Sequence, residues 1–198
     1  MPTDPYMCPT LRMAELFYTN NGVPIEEDTQ FDYTNRYSTE LAPNDHNFYI
    51  KPGYATTKIN IGRETRFYSS LAFDGAVWFG NGRFRDVGDG PTNEQSWIIR
   101  TKKGEPQGRV SNLRYSLSGY WVRKTSHFES VSTSSSSNVI VRSTFPIMRL
   151  SDLYLLYAEA LNESSEIPSE EVYHYIDLVR ERAGLKGVIE SWRTSSRY

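Results

Sequence analysis

Cysteine is nearly absent. The single residue, Cys8, has no partner for an internal disulfide and belongs to no cysteine set that could hold zinc. Only Arg12 lies near it as a basic group, so nothing local activates the thiol. Histidine is scarce too: His46, His127 and His174 lie far apart, without HExxH or any paired spacing, and read as scattered surface side chains, not metal ligands. No sign of charge dominates. Lys and Arg number 22 against 24 Asp and Glu, a net charge of −2, which excludes a basic nucleic-acid arm and a polybasic membrane patch. Long apolar runs are missing, the longest being Ser70–Phe73 and Leu153–Ala158, so no stretch spans a bilayer. The opening residues show no charged start, apolar stretch and small-residue cleavage site, so no secretory leader is expected there.

What is present is aromatic. Hydrophobic residues make up 38% of the 198-residue chain, yet 14 Tyr, 9 Phe and 4 Trp account for much of that content. Rings with polar handles suit hydrogen-bonded cores and amphipathic binding surfaces alike. Arginine supplies 16 of the 22 basic residues, a bias toward planar, bidentate or stacking contacts.

Along the chain, residues 1–60 read as loop-rich, with turns at Asn20–Pro24, Pro43–Asp45 and Lys51–Gly53. Met13–Tyr18 fits one or two helical turns or a short strand. Residues 61–145 read mostly as strands: Ala76–Phe79 with a Gly80-Asn81-Gly82 turn into Arg83–Arg85, then Trp97–Thr101, then Gly119–Lys124. Ser130–Asn138, with six serines and one threonine, reads as a mobile surface loop. The last third changes period. Leu150, Leu153, Tyr154, Tyr157 and Leu161 line one face of a helix, with Leu156 and Ala160 on its flanks. Ser164–Pro168 breaks it. Ser169 then stands as N-cap, Glu170 and Glu171 suit the positive end of the dipole, and Val172, Ile176, Val179 and Ala183 line a second helix. Gly184 followed by Leu185 predicts a Schellman stop. This is a helix hairpin of tetratricopeptide size, and a lone unit of that kind leaves faces such as Leu156 and Ile176 without a neighbouring repeat.

No catalytic constellation emerges. Asp86–Gly90 lacks the alternating ligands and final glutamate of a calcium loop and reads as a turn. Gly75, Gly80 and Gly82 do not make GxGxxG, and neither GxSxG nor a Walker sequence occurs. The remaining signal is Trp78, Trp97, Tyr120 and Trp121, rings in strand-like stretches beside Asn81, Arg83 and Arg100. Such rings can stack on a sugar face while neighbours bond its hydroxyls, or they can simply fill a core.

Phe145–Glu163 (FPIMRLSDLYLLYAEALNE) resembles the "P-x-x-R-x-A-D-x-x-L-x-Y-A-E-A" helix of SusD/RagB-type proteins, and Ile176–Leu185 (IDLVRERAGL) resembles that family's "I-N-x-V-R-x-R-A-G-L" helix. Pro9–Ile25, Arg66–Gly75 and Gly119–Lys124 are similar to the family's middle region in the same order. Asp177 stands for the usual Asn and Ser151 for the usual Ala. The family's lipidated N-terminal cysteine, first helical repeats and closing "ERRxELxxEG" helix have no counterpart, so the chain is expected to be a C-terminal-half piece of a longer protein.

The resemblance implies an α+β fold: an irregular strand- and loop-rich subdomain over 1–145, then a tetratricopeptide-like hairpin over 146–198, part of the SusD-like α-helical repeat architecture. It further implies a non-catalytic lipoprotein on the outer-membrane surface of Bacteroidetes. Such a protein captures glycans, or peptides in RagB-like branches, for a SusC-like TonB-dependent transporter. No cofactor, metal or nucleic acid is implied, and the membrane is reached only through the full-length lipid anchor. A carbohydrate-active enzyme fragment and a protein-interaction module are the alternatives. Arg149, Arg180 and Arg182 are expected to tie to Asp152, Glu159 or last-turn carbonyls. At least one of Trp78, Trp97, Tyr120 and Trp121 is expected to be exposed on a ligand surface.

Overall fold

The computed structural model describes residues 8–78, 97–109, 115–124, 127, 129–132, 138–142, 144 and 146–197. The chain forms an α+β fold of short helices and small antiparallel sheets. It divides into two compact units, each built from discontinuous segments.

The first unit draws on Met1–Glu15, Thr34–Ile61 and Phe67–Ser143. Of the alternatives for its start, a helix forms: α1 (Leu11–Leu16) opens with Thr10 Oγ1 accepting from the Met13 amide at 3.1 Å. Strands β1 (Thr39–Leu41) and β2 (Ala55–Thr57) pair antiparallel, Glu40 opposite Thr56. The stretch read mostly as strand begins instead with a helix, α2 (Thr65–Ser70), which buries Phe67 and Tyr68. It runs directly into β3 (Leu71–Ala72). Strand β3 pairs with β6 (Trp121–Val122), and β4 (Val77–Trp78) pairs with β5 (Trp97–Ile98), so Trp78 stands opposite Trp97. The glycine turn expected after Phe79 lies outside the described residues. The serine-rich segment, expected as loop, carries a short antiparallel pair at its ends, β7 (Val131–Ser132) with β8 (Asn138–Val139).

The core of this unit is ringed by Ile50, Ile59, Val77 and Ile99 and filled by Phe67, Phe73, Tyr68 and Tyr120. Phe67 lies 5.3 Å from both Tyr68 and Phe73, and Tyr49 stacks on Tyr68 at 4.2 Å. Two of these rings carry hydroxyls into the interior, and buried Asn60 receives both. Its carbonyl accepts from Tyr68 at 3.0 Å, its Oδ1 accepts from Tyr120 at 2.6 Å, and its Nδ2 donates to Thr56 Oγ1 at 3.0 Å. An aromatic core with polar tips holds together only where each tip finds such a partner.

The second unit draws on Leu16–Tyr33, Gly62–Arg66 and Thr144–Tyr198. Its helices are α3 (Leu150–Glu163), α4 (Glu170–Arg182) and α5 (Val188–Trp192), with α3 and α4 forming the expected hairpin. Tyr175 of α4 meets Tyr154 at 5.3 Å and Tyr157 at 4.8 Å across it. Ser169 holds the extended backbone of an N-cap but makes no side-chain capping bond. The stop of α4 follows expectation: Gly184 sits at φ 76°, its amide donates to Glu181 at 2.8 Å, and the Leu185 amide donates to Arg180 at 3.0 Å. The stripe on α3 is only partly covered, with Tyr154 and Leu161 half-buried, and Leu156 is exposed as a face without a neighbouring repeat would be. Leu150, Leu153 and Tyr157 are exposed along with Leu156, and only Ala158 is buried. Helix α4 covers one side of α3, and a stripe at helical spacing stays wet wherever no second partner reaches it.

Arg180 ties the segments of this unit together. Its Nε donates to the Lys186 carbonyl at 2.8 Å, and Nη2 donates to the Gly22 carbonyl at 2.9 Å and to Ser191 Oγ at 2.7 Å. Its guanidinium also lies 5.3 Å from the Trp192 ring centroid. The partners of Arg180 are thus the carbonyls of Lys186 and of remote Gly22 and the Ser191 hydroxyl, not the helix's own carboxylates or last-turn carbonyls. Burial depresses the Arg180 pKa, while the nearby Tyr18, Asp177 and Glu64 act in the opposite direction.

Gly22 makes this clamp possible. It sits at φ +80°, and a Cβ there would stand 2.5 Å from Arg180 Nη2 and 2.8 Å from Ser191 Oγ. Gly53, at φ +69° with open space around it, isolates the backbone cost. Gly53→Ala is expected to lower unfolding free energy by about 1–2 kcal/mol. Gly22→Ala, which also displaces a hydrogen-bonded guanidinium, should cost roughly 2–4 kcal/mol in denaturant melts.

Candidate functional site

The rings singled out from the sequence fall in the first unit, and the structure brings them together in pairs. Trp78 and Trp97 face each other in register across β4 and β5, and Tyr120 immediately precedes Trp121 of β6. Trp78, Tyr120 and Trp121 are buried, with exposures of 8%, 5% and 8%. The Trp97 side chain lies outside what the structure describes, as do Asn81 and Arg83.

Each buried ring has an internal partner. Tyr120 donates to Asn60, and Trp121 Nε1 donates to the Gln107 carbonyl at 3.3 Å. Trp78 lies 5.5 Å from the Arg123 guanidinium, which donates to the Tyr68 and Val77 carbonyls at 3.1 and 3.0 Å. Burial depresses the Arg123 pKa, as expected for a cation taken from water. For these three rings the core reading of an aromatic strand residue therefore prevails over surface exposure. Tyr120 packs on Phe67 and Phe73, with centroids 6.4 and 6.3 Å away, while its hydroxyl meets Asn60 and the Trp121 indole N–H meets backbone.

Two polar clusters lie nearer the surface of the same unit. In one, Asp74 Oδ1 accepts from the Thr101 amide at 2.9 Å and from Tyr54 at 3.2 Å, while Lys102 Nζ approaches Oδ2 at 3.3 Å. Lys102 also donates to the Ala55 carbonyl at 2.8 Å and lies 5.0 Å from the Tyr54 ring. Burial, reinforced by the Asp74 charge, pushes the Tyr54 pKa up to about 12.

The other cluster centres on Glu15, whose side chain is 10% exposed although it sits on a surface helix. Its Oε1 accepts from Tyr37 at 2.7 Å and from Arg36 Nε at 2.8 Å, and its Oε2 accepts from Arg12 at 3.4 Å. Burial opposes the charge on Glu15, but the bonds from Tyr37, Arg36 and Arg12 outweigh it and hold the carboxyl below its ordinary pKa. The Arg36 guanidinium lies 4.6 Å from the Tyr37 centroid, and the ring is 47% exposed. A surface tyrosine held at its hydroxyl and over one face is preorganised for stacking. Sequence reasoning missed it, since only the Arg36-Tyr37 dipeptide is local and the anchoring carboxylate lies at residue 15.

Among the described residues no group of three or more His, Cys, Asp or Glu is placed to hold a metal ion. No described helix is long and apolar enough to cross a membrane.

Two tests follow from these environments. Trp121→Ala is expected to cost about 3–5 kcal/mol of stability, read in a denaturant melt, as deletion of a core ring does. Tyr54 has a folded pKa above the unfolded value of about 10, so its contribution is fully present below pH 10 and fades as pH rises toward 12. Alkaline melts should show this loss in the native chain and a smaller one in Tyr54→Phe.

The family model described as the SusD family matches residues 6–197. Among solved structures the chain is similar to BT4246, a Bacteroides SusD-like protein, in its selenomethionine form, with a TM-score of 0.63 and 25% identity. That match covers 91% of this chain and 29% of the other. A second BT4246 structure matches with a TM-score of 0.61 at 23% identity, over 91% of this chain and 28% of that one, and speaks for the fold alone. The chain therefore spans less than a third of the length of the solved structures it resembles. No curated protein matches it. With a family model aligned from Tyr6 to Arg197, the chain belongs to the SusD family.

Proposed function

We propose that the chain is part of a cell-surface lipoprotein that captures glycans and passes them to a SusC-like TonB-dependent transporter in the outer membrane. The family match over residues 6–197 carries this reading. SusD-family members are generally binding proteins without catalytic activity, and a binding role without chemistry is the reading adopted for this chain as well.

The geometry supports a role for aromatic side chains in two forms. Trp78, Tyr120 and Trp121 act from beneath, as buried supports for the strands that bear the surface. Tyr37 adds an exposed ring held by Glu15 and Arg36. Stacking of a pyranose on such a ring, with planar donors beside it, needs no catalytic group.

The reading is tested on an array that holds both glycans and peptides, probed with the chain and with the longer protein that contains it. Glycan retention without release of shortened products is the expected result. Retention of peptides alone would move the reading to a RagB-like peptide role. Appearance of shorter sugars would make the protein a carbohydrate-active enzyme.

A further inference from the structure

The Glu15–Arg36–Tyr37 cluster does more than offer a ring. Tyr37 is fixed by its hydroxyl on Glu15 and by Arg36 across one face, which leaves the exposed part of the ring for a ligand. Arg12 reaches the same carboxylate through its other oxygen, so its guanidinium and the Tyr37 hydroxyl are held on one carboxyl group. That ion pair is long, 3.4 Å, and the Arg12 side chain is 65% exposed. A guanidinium carries five N–H donors in a planar fork that matches a carboxylate, and this one spends little of that capacity on Glu15. Glu15 is paired with two guanidinium groups, Arg36 and Arg12, so the cluster as a whole presents net positive charge to an incoming anion.

Resting on the glycan-binding reading above, we infer that Tyr37 and Arg12 form a subsite for a uronic acid within a glycan chain, Tyr37 stacking on the pyranose and Arg12 pairing with its carboxylate. A flat, exposed ring suits an internal sugar of a chain, which presents a face, better than a free monosaccharide that needs enclosure. Glu15 and Arg36 are positioning residues here. They hold the ring and contact no ligand atom.

The probes are hexagalacturonate and, as its neutral counterpart, maltohexaose, titrated against the native chain by calorimetry. Hexagalacturonate should bind more tightly, and its affinity should fall as salt rises. Tyr37→Ala should weaken it about tenfold or more, the size of effect that loss of one stacking ring produces. Arg12→Gln should weaken hexagalacturonate by a similar factor and leave maltohexaose binding unchanged. Arg12 is a surface side chain, so this variant keeps the test decisive even if Tyr37→Ala melts early. Equal affinity for the two oligosaccharides, or unchanged hexagalacturonate binding in Arg12→Gln, overturns the subsite while leaving glycan capture intact. Absence of retention on every glycan of the array overturns the capture reading itself, and the subsite with it.

Discussion

The C-terminal unit depends on one guanidinium. Helix α4 ends where its Gly184–Leu185 stop returns two amides to the last turn, and from that turn Arg180 reaches out to Gly22, Lys186 and Ser191. A planar cation with a fixed fork can satisfy two carbonyls and a hydroxyl at once, which an ammonium on a flexible stem does poorly. The cost is desolvation, visible in the depressed pKa of Arg180, and it is offset by these charge-assisted bonds and the Trp192 ring. Around this point the neighbouring contacts fall into place. Asp177 accepts from the Val188 amide at 2.7 Å at the start of α5, where a Cβ on Gly187 would press against its carboxylate, 2.6 Å from Oδ2. Farther along, Thr29 and Thr194 meet through backbone at 3.0 Å, and Asp28 pairs with Ser195.

A related economy runs through the first unit. The chain is poor in aliphatic residues, so its core is assembled from rings, and each hydroxyl or indole N–H brought inside needs an acceptor. Asn60 serves two of them and Gln107 a third. Part of the aromatic content of the sequence therefore goes into the core: Phe67, Tyr68, Phe73, Trp78, Tyr120 and Trp121 are buried. Among the described residues the exposed rings are Tyr37, Phe48 and Tyr157.

This division bears on how a member of the SusD family presents a ligand surface. The motifs that identify the family lie in the helix hairpin, where they specify packing: Ala158 is buried on α3, and Arg180 is a clamp. Nothing in them needs to touch a glycan. The surface cluster at Glu15, Arg36 and Tyr37 lies outside both helical motifs.

What the sequence by itself determined is local. The helix hairpin, the break after Glu163, the placement of Ser169 at an N-cap and the Gly184 stop all follow from patterns a few residues long, because helical periodicity and capping act within one or two turns. The helical motifs also carried the family. Tertiary structure alone decided which side chains are covered. The spacing that marked Leu150 and Leu153 as a packed face says nothing about whether a partner arrives, and both are exposed. Trp78 and Trp121 are buried, while Tyr37, held by Glu15 from another part of the chain, is exposed. The donors on Arg180 could be counted from the sequence. Their pairing with Gly22, 158 residues away, could not, since such a contact exists only once the chain has closed on itself.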